Sequence, residues 1–319
     1  MEISVIGAGS FGTAIAQLLS ENADNVYLLA RSKETVKSIN TDHENKWYHP
    51  GIILNDKIKA AIIQESDDIL EGSDYIFLAV PSGSLRSIIK SLDSQLEDKK
   101  IVSCIKGIEY PSLKPMTTIV QEETGSNTVF CISGPNFADE LIRGVHSGIT
   151  IGAPKEYQEN IRSLIESPRI ILDYSENVQG VEFCGILKNV YALGMGILDR
   201  HIIGENHKYT LLTLCFKEIK QILDKMGYGE LLDKFCGFGD FLLTSLADKS
   251  RNRTLGLMLG KKIQLSKKST IALESLRSIK AIRKLTDDMD LPVLKLVHKT
   301  IQDPQNISIH IKNFQGNLK

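Results

Sequence analysis

Short runs of β-branched and aliphatic residues alternate with amphipathic stretches through the first half of the chain. "EISVIG", "NVYLLA", "DYIFLAV", "KIVSCI" and "TVFCIS" read as strands, and several of the intervals between them as helices. Near-continuous hydrophobic strands are buried on both faces; alternating with helices, they predict a parallel sheet covered on each side. "SGITIGA" and "RIILDY" are expected to extend that sheet. From about Glu176 the pattern changes to long helical periods, through "ENVQGVEFCGILKNVYALGMGIL", "LLTLCFKEIKQILDKM" and "ALESLRSIKAIRKLTDDM". A boundary near residue 174 therefore separates an α/β domain, 1–174, from an all-helical domain, 175–319, and 319 residues is long enough for two cores.

The first strand runs directly into "GAGSFG", in which Gly7, Gly9 and Gly12 form G-x-G-x-x-G before a helix. The first glycine permits a tight turn, the second lets the backbone approach a pyrophosphate, and the third lets helix and strand pack closely. The helix start offers free N–H groups and a partial positive charge to phosphates. A glycine pattern alone is weak, but strand, turn, amphipathic helix and second strand follow in the right order, which favours a Rossmann-type, doubly wound dinucleotide domain over a plain turn. Arg31 stands at the end of the second strand, where an acid would bind the ribose 2′-hydroxyl of NAD. An arginine there suits a 2′-phosphate and favours NADP; the competing readings are a solvated side chain or one stacked on adenine.

Composition narrows the setting. A net charge of −1 gives no field for nucleic acid or a membrane surface. Five scattered cysteines suggest reduced thiols in a cytosolic setting, each filling core volume. "MEISVIG" has no basic start, so no secretory signal is expected. "GILKNVYALGMGIL" is too short a run to span a bilayer and carries a lysine. The seven histidines form no metal-type spacing, so no metal is expected.

Candidate chemistry concentrates on a few polar residues. In "VEFCGILKNVYALGMGIL" the only charged residues are Glu182 and Lys188. At helical spacing Lys188 shares a face with Cys184, Gly185 and Ala192, a side expected to be buried. A buried ammonium needs a carboxylate, a phosphate or a chemical task. Asp240, in "FCGFGDFLLTSL", reads on spacing alone as a helix N-cap. Arg251, Asn252 and Arg253 follow an apolar helix; they could grip a phosphate or form a solvated charge run. Lys106 in "CIKGIEY", Pro81 in "AVPSGS", and Ser133 and Gly134 in "SGPNFADE" each follow a predicted strand, where open α/β sheets collect ligands.

Taken in order, "GAGSFGTAIA", "HPGIIL", "AVPS", "IKGIE", "SGPNFADE", "GVEFCGILKNVYALGMGI", "GFGDFLLTSL" and "SRNRTLGLMLGKK" resemble the NAD(P)-dependent glycerol-3-phosphate dehydrogenase family over nearly the whole chain. The resemblance implies reversible hydride transfer between NAD(P)H and dihydroxyacetone phosphate, giving sn-glycerol 3-phosphate for phospholipid synthesis, in a cytoplasmic homodimer. It implies that Lys188 is the general acid/base, with Asp240 its charged partner and Thr244 nearby. Lys106 would orient the substrate, with Ser133 and Gly134 also contacting it and Arg251 and Asn252 holding its phosphate. Gly7, Gly9, Ser10, Phe11, Gly12, Arg31, Pro81, Lys106, Ala138, Arg251 and Glu274 would contact the cofactor.

The likeness thins between the Lys188 helix and "LLTLCFKEI". Asn206 and Lys208 match the family, but Arg200, His201, Tyr209 and Cys215 replace residues that are usually small or glycine. That segment is expected to border the substrate site, so the alternatives are a paralogue reducing another small phosphorylated ketone or, from a different class, a non-catalytic NAD(P)-binding sensor. A sensor has no need of Lys188, Asp240, Thr244, Arg251 and Asn252 together.

Overall fold

The computed structural model describes residues 1–92, 96–199, 201, 204–263 and 270–316. It divides into two compact units, one of Met1–Ile105 with Met116–Glu182, the other of Lys106–Pro115 with Phe183–Lys319. The sheet unit carries β1 (Glu2–Ile6), β2 (Asn25–Ala30), β3 (Ile58–Ile62), β4 (Tyr75–Leu78), β5 (Lys100–Ser103), β6 (Val129–Ser133), β7 (Ser147–Gly152) and β8 (Ile170–Ser175). Its helices are α1 (Ser10–Leu19), α2 (Lys33–Asp42), α3 (Asp67–Gly72), α4 (Leu85–Ser91), α5 (Met116–Thr124), α6 (Ala138–Leu141) and α7 (Lys155–Ile165).

The strand order is β3-β2-β1-β4-β5-β6-β7-β8. The pairs from β3 through to β6 are parallel, β7 is antiparallel to β6, and β8 is parallel to β7. Chain order reverses between β1 and β4, the switch point at which doubly wound sheets bind ligands. Alternate side chains serve two cores: Ile3, Val5, Val26, Leu28 and Phe77 pack with Ile15 and Leu19 of α1 and Leu164 of α7. Ile6, Leu29, Ile76 and Leu78 pack with Ile89 of α4 and Ile119 and Val120 of α5. Burial on both faces is why these strands read as continuous hydrophobic runs.

All seven expected strands form, and β3 is added. Its sequence, IKAAI, has a lysine and two alanines and little strand propensity of its own. It lies at the sheet edge and is formed by pairing with β2 from Val26↔Ile58 to Ala30↔Ile62.

The helical unit contains α8 (Val178–Asp199), whose first five residues belong to the sheet unit, then α9 (Glu205–Lys225), α10 (Asp240–Leu246), α11 (Arg251–Gly260), α12 (Thr270–Leu285), α13 (Pro292–Gln302) and α14 (Ile307–Gly316). At 22 residues α8 extends beyond the run marked in the sequence, and by length and composition it could cross a membrane. Instead, 94% of its apolar stretch is buried, as in a core helix. A glycine on each of α8 and α11 admits the other helix's backbone: a Cβ at Gly196 of α8 would lie 2.1 Å from the Arg253 carbonyl oxygen, and one at Gly256 of α11 2.1 Å from that of Leu193. All five cysteines are buried thiols.

Candidate active site

In the sheet unit, the glycine loop is shaped by two contacts that no side chain could share. Gly7 has φ +113°, and a Cβ there would come within 2.5 Å of the Ala79 carbonyl oxygen. A Cβ on Gly12 would lie 1.9 Å from the Gly7 carbonyl oxygen. Gly9 differs: no described atom lies within 4 Å of where its Cβ would be. The fold does not need a glycine there for its own packing, and the bare backbone leaves room for a bound group. Gly9 is also the N-cap of α1, and no described side chain caps that end. An open backbone at an uncapped helix start fits a dinucleotide pyrophosphate.

Two residues hold this loop that sequence reasoning gave no role. Asn45, fully buried, donates through Nδ2 to the Ala8 carbonyl (3.1 Å) and to Thr13 Oγ1 (2.9 Å). His49 Nε2 lies 2.8 Å from the Ser10 carbonyl oxygen and 3.2 Å from Ser10 Oγ. The available signal was "HENKWYHPG", in which an asparagine and a histidine four residues apart interrupt an otherwise surface-like loop.

The sheet-borne candidates leave the carboxyl ends of parallel strands. Arg31 follows β2 and is exposed, Pro81 lies beyond β4, and buried Ser133 ends β6 with Gly134 next. Ala138 begins α6. In the same turn Asn136 is 5% exposed, and among the described residues its Nδ2 has no hydrogen-bond partner.

Chemistry in the helical unit centres on Asp240. It is 1% exposed and ion-pairs through Oδ1 with Lys188 Nζ and through Oδ2 with Lys106 Nζ at 3.2 Å. A π-helical turn, Phe235–Gly239, precedes it, and a Cβ on Gly237 would collide with the Leu231 carbonyl oxygen at 2.2 Å. Such turns displace a helix face and recur at functional positions. The N-cap of α10 is Gly239, and Asp240 spends its oxygens on the lysines, so the capping alternative fails. Lys188 is 6% exposed; burial lowers its pKa from the ordinary lysine value to about 7, opposed by the Asp240 charge and assisted by Lys106. Thr244, one turn beyond Asp240, is buried, and among the described residues its Oγ1 has no hydrogen-bond partner.

The "SRNR" residues separate into distinct roles. Ser250 caps α11, accepting from the Arg253 N–H at 3.3 Å. Arg251 is exposed at the first position of α11. Asn252 Oδ1 accepts from Ser275 Oγ of α12 at 2.9 Å. Arg253 is buried, donating to Asp199 (2.5 Å) and Asp248 (2.8 Å), so it ties the end of α8 to α11. Glu274 lies half-buried on α12.

The other charged residue of α8, Glu182, is a structural carboxylate. It is 2% exposed and accepts from the N–H groups of Met116 (2.5 Å) and Thr117 (3.2 Å) and from Thr117 Oγ1 (2.7 Å), capping α5. Of the atypical residues after α8, Arg200 lies outside the described residues. His201 Nε2 is 2.9 Å from the Gly260 carbonyl oxygen, Tyr209 is exposed, and Cys215 is buried. Asn206 is exposed and Lys208 half-buried in the first turn of α9.

Residues 2–159 match the family described as NAD-dependent glycerol-3-phosphate dehydrogenase N-terminus, and residues 177–312 match its C-terminus counterpart. A protein of Methanothermobacter thermautotrophicus named glycerol-3-phosphate dehydrogenase (NAD(P)+) is 65% identical over 318 residues, covering 100% of this chain and 98% of its own. One of the same name from Neorickettsia sennetsu is 35% identical, covering 81% and 78% respectively. The crystal structure of glycerol-3-phosphate dehydrogenase from Coxiella burnetii superposes with a TM-score of 0.84 at 25% identity, covering 98% of both chains. With both parts matched in order and a relative alike from end to end, the chain belongs to the NAD-dependent glycerol-3-phosphate dehydrogenase family.

Proposed function

We propose that this chain interconverts dihydroxyacetone phosphate and sn-glycerol 3-phosphate, with residues 1–174 binding the dinucleotide and 175–319 carrying the substrate chemistry. The observation that carries the reading is a buried carboxylate, Asp240, paired with two lysines, one of them with its pKa near neutrality. A bound nicotinamide dinucleotide supplies or accepts the hydride. The chain must then move a proton to or from the carbonyl oxygen, and an amine titrating near pH 7 suits both directions. Lys188 in its charged form donates to the developing alkoxide; in its neutral form it withdraws the hydroxyl proton. Asp240 holds the ammonium in place and prevents burial from discharging it entirely. Lys106 shares that carboxylate and orients the substrate oxygen. The Thr244 hydroxyl, without a partner among the described residues, is a further donor on the same helix.

Arg251 and Asn252 grip the phosphate, distant binding energy that fixes the orientation of the carbonyl. Ser133 and Gly134 complete the substrate contacts. Gly7, Gly9, Ser10, Phe11 and Gly12 cradle the pyrophosphate, with Arg31 on a 2′-phosphate and Pro81, Lys106, Ala138, Arg251 and Glu274 as further cofactor contacts. Placement in the cytoplasm, assembly as a homodimer and supply of glycerol phosphate to phospholipid synthesis complete the reading.

The test is turnover of purified protein with dihydroxyacetone phosphate, followed by loss of reduced-nicotinamide absorbance. Turnover is expected with a preference for NADPH. A clear NADH preference would reject the role given to Arg31. Tight dinucleotide binding without turnover on this substrate would reject the reaction itself.

A further inference from the structure

We infer that Asn45 is a positioning residue for the dinucleotide: by holding the Ala8 carbonyl it aims the Gly9 N–H at the pyrophosphate. The inference rests on the proposed pyrophosphate contact at Gly9. The carbonyl and the N–H of one trans peptide point in opposite directions, so a residue that fixes the first fixes the second. From Gly9 onward the hydrogen-bond ladder of α1 supplies that constraint, beginning with the Thr13 N–H on the Gly9 carbonyl at 2.9 Å. The Ala8–Gly9 peptide lies one step before the ladder. Its carbonyl accepts instead from Asn45 Nδ2 at 3.1 Å, and among the described residues its N–H donates to no backbone carbonyl.

The sense of these contacts is fixed by the partners. A carbonyl oxygen carries no proton, so the end of the amide that faces Ala8 is the NH2 group. The second contact, Asn45 Nδ2 to Thr13 Oγ1 at 2.9 Å, agrees with the first. The Thr13 proton is committed to the Gly9 carbonyl at 2.8 Å, so its oxygen can only accept from Asn45. Asn45 Oδ1 has no hydrogen-bond partner among the described residues, and the side chain is held by its donating end. Asn45 is fully buried, and its own carbonyl accepts from the N–H groups of His49 (2.8 Å) and Tyr48 (3.1 Å), which closes a turn around it. From the same turn His49 reaches the Ser10 carbonyl, one peptide further along α1. A loop set in its binding conformation beforehand spares the cost of ordering it on association.

The test titrates NADPH into the purified protein and into Asn45→Leu, Asn45→Ala, Gly9→Ala and the double variant that combines Asn45→Leu with Gly9→Ala. Gly9→Ala suits the free fold, since Gly9 has φ −81° and no described atom lies within 4 Å of the new Cβ. It is expected to weaken NADPH binding by filling the space given to the pyrophosphate. Asn45→Leu, which keeps bulk but cannot donate, and Asn45→Ala should each raise the NADPH dissociation constant about tenfold, the size of one lost oriented hydrogen bond. In turnover the loss should fall on the KM for NADPH rather than on kcat or the KM for dihydroxyacetone phosphate. Asn45→Leu should add nothing in the Gly9→Ala background. If Gly9→Ala loses affinity while Asn45→Leu keeps it, the role of Asn45 is overturned and the contact at Gly9 stands. If Gly9→Ala binds NADPH normally, that contact is overturned, and the role of Asn45 with it. Additive losses, or a loss in Asn45→Ala that Asn45→Leu restores, would reduce the asparagine to a packing residue. Should neither Asn45 variant fold, Thr13→Val removes one of the two acceptors that orient the amide. About threefold weaker NADPH binding is then expected, and unchanged affinity overturns the role.

Discussion

Glu218 and Asp240 are both buried carboxylates of the helical unit, 4% and 1% exposed, yet they are satisfied in opposite ways. Glu218 accepts from the N–H groups of Val293 (2.6 Å) and Leu294 (3.0 Å) at the start of α13 and from the Tyr191 hydroxyl (2.8 Å). All three donors are neutral, and burial pushes the carboxyl upward despite them. Asp240 has two ammonium groups instead. The first arrangement completes a helix end with neutral donors. The second gathers one carboxylate and two lysines in a place where unneeded charge is costly, and leaves Lys188 easy to discharge. Glu182 repeats the first pattern in the sheet unit, closing the start of α5. Burial of an acid is therefore a poor guide to chemistry by itself; the charge of its partners separates the two cases.

The contrast is broken most severely by removing the amine. Lys188→Ala should lower turnover by about 10²–10⁴-fold with dinucleotide affinity little changed, measured by steady-state rates and a separate binding titration. Near-normal turnover would show that the ion pair is structural, like the glutamate caps. The converse variant, Glu218→Ala, should leave two α13 N–H groups and the Tyr191 hydroxyl without their acceptor. Unfolding free energy should fall by about 2–4 kcal/mol, read from denaturant midpoints, while kcat at a temperature where the protein stays folded changes little. A large kcat loss without destabilisation would put Glu218 among the reacting groups.

A pH series sharpens the comparison further. Reduction needs charged Lys188, so its rate should fall as pH rises past about 7, whereas oxidation needs the neutral amine and should rise over the same range. Because the Asp240 charge raises the Lys188 pKa, Asp240→Asn should move both midpoints to lower pH in whatever activity remains. Glu218→Gln should move neither. Midpoints that ignore Asp240→Asn would assign the titration to another group.

Much of the fold was legible because it rests on local patterns. Continuous runs of β-branched and aliphatic residues located seven of the eight strands, the long helical periods located the change to helices, and the glycine spacing located the loop after β1. β3 was hidden because an edge strand of lysine and alanines depends on its neighbour more than on its own residues. Lys188 stood out through a local anomaly, a charge on a face of small residues. Asp240 looked like a helix cap because its partners lie 52 and 134 positions away in the chain. Arg251, Asn252 and Arg253 formed one cluster in the sequence, and only the structure separated the buried tether from the exposed guanidinium and the half-buried amide bonded to Ser275.

The sequence by itself determined the alternation of strands and helices, the glycine turn and the presence of a lysine that could not be left unpaired in a core. Those depend on backbone sterics and on the cost of burying apolar and charged groups, which act over a few neighbouring residues. Only tertiary structure decided which acid meets that lysine, which glutamates close helix ends, and which acids take up Arg253. Each of those is a choice among chemically similar groups far apart in the chain, and it is made by which helices pack together.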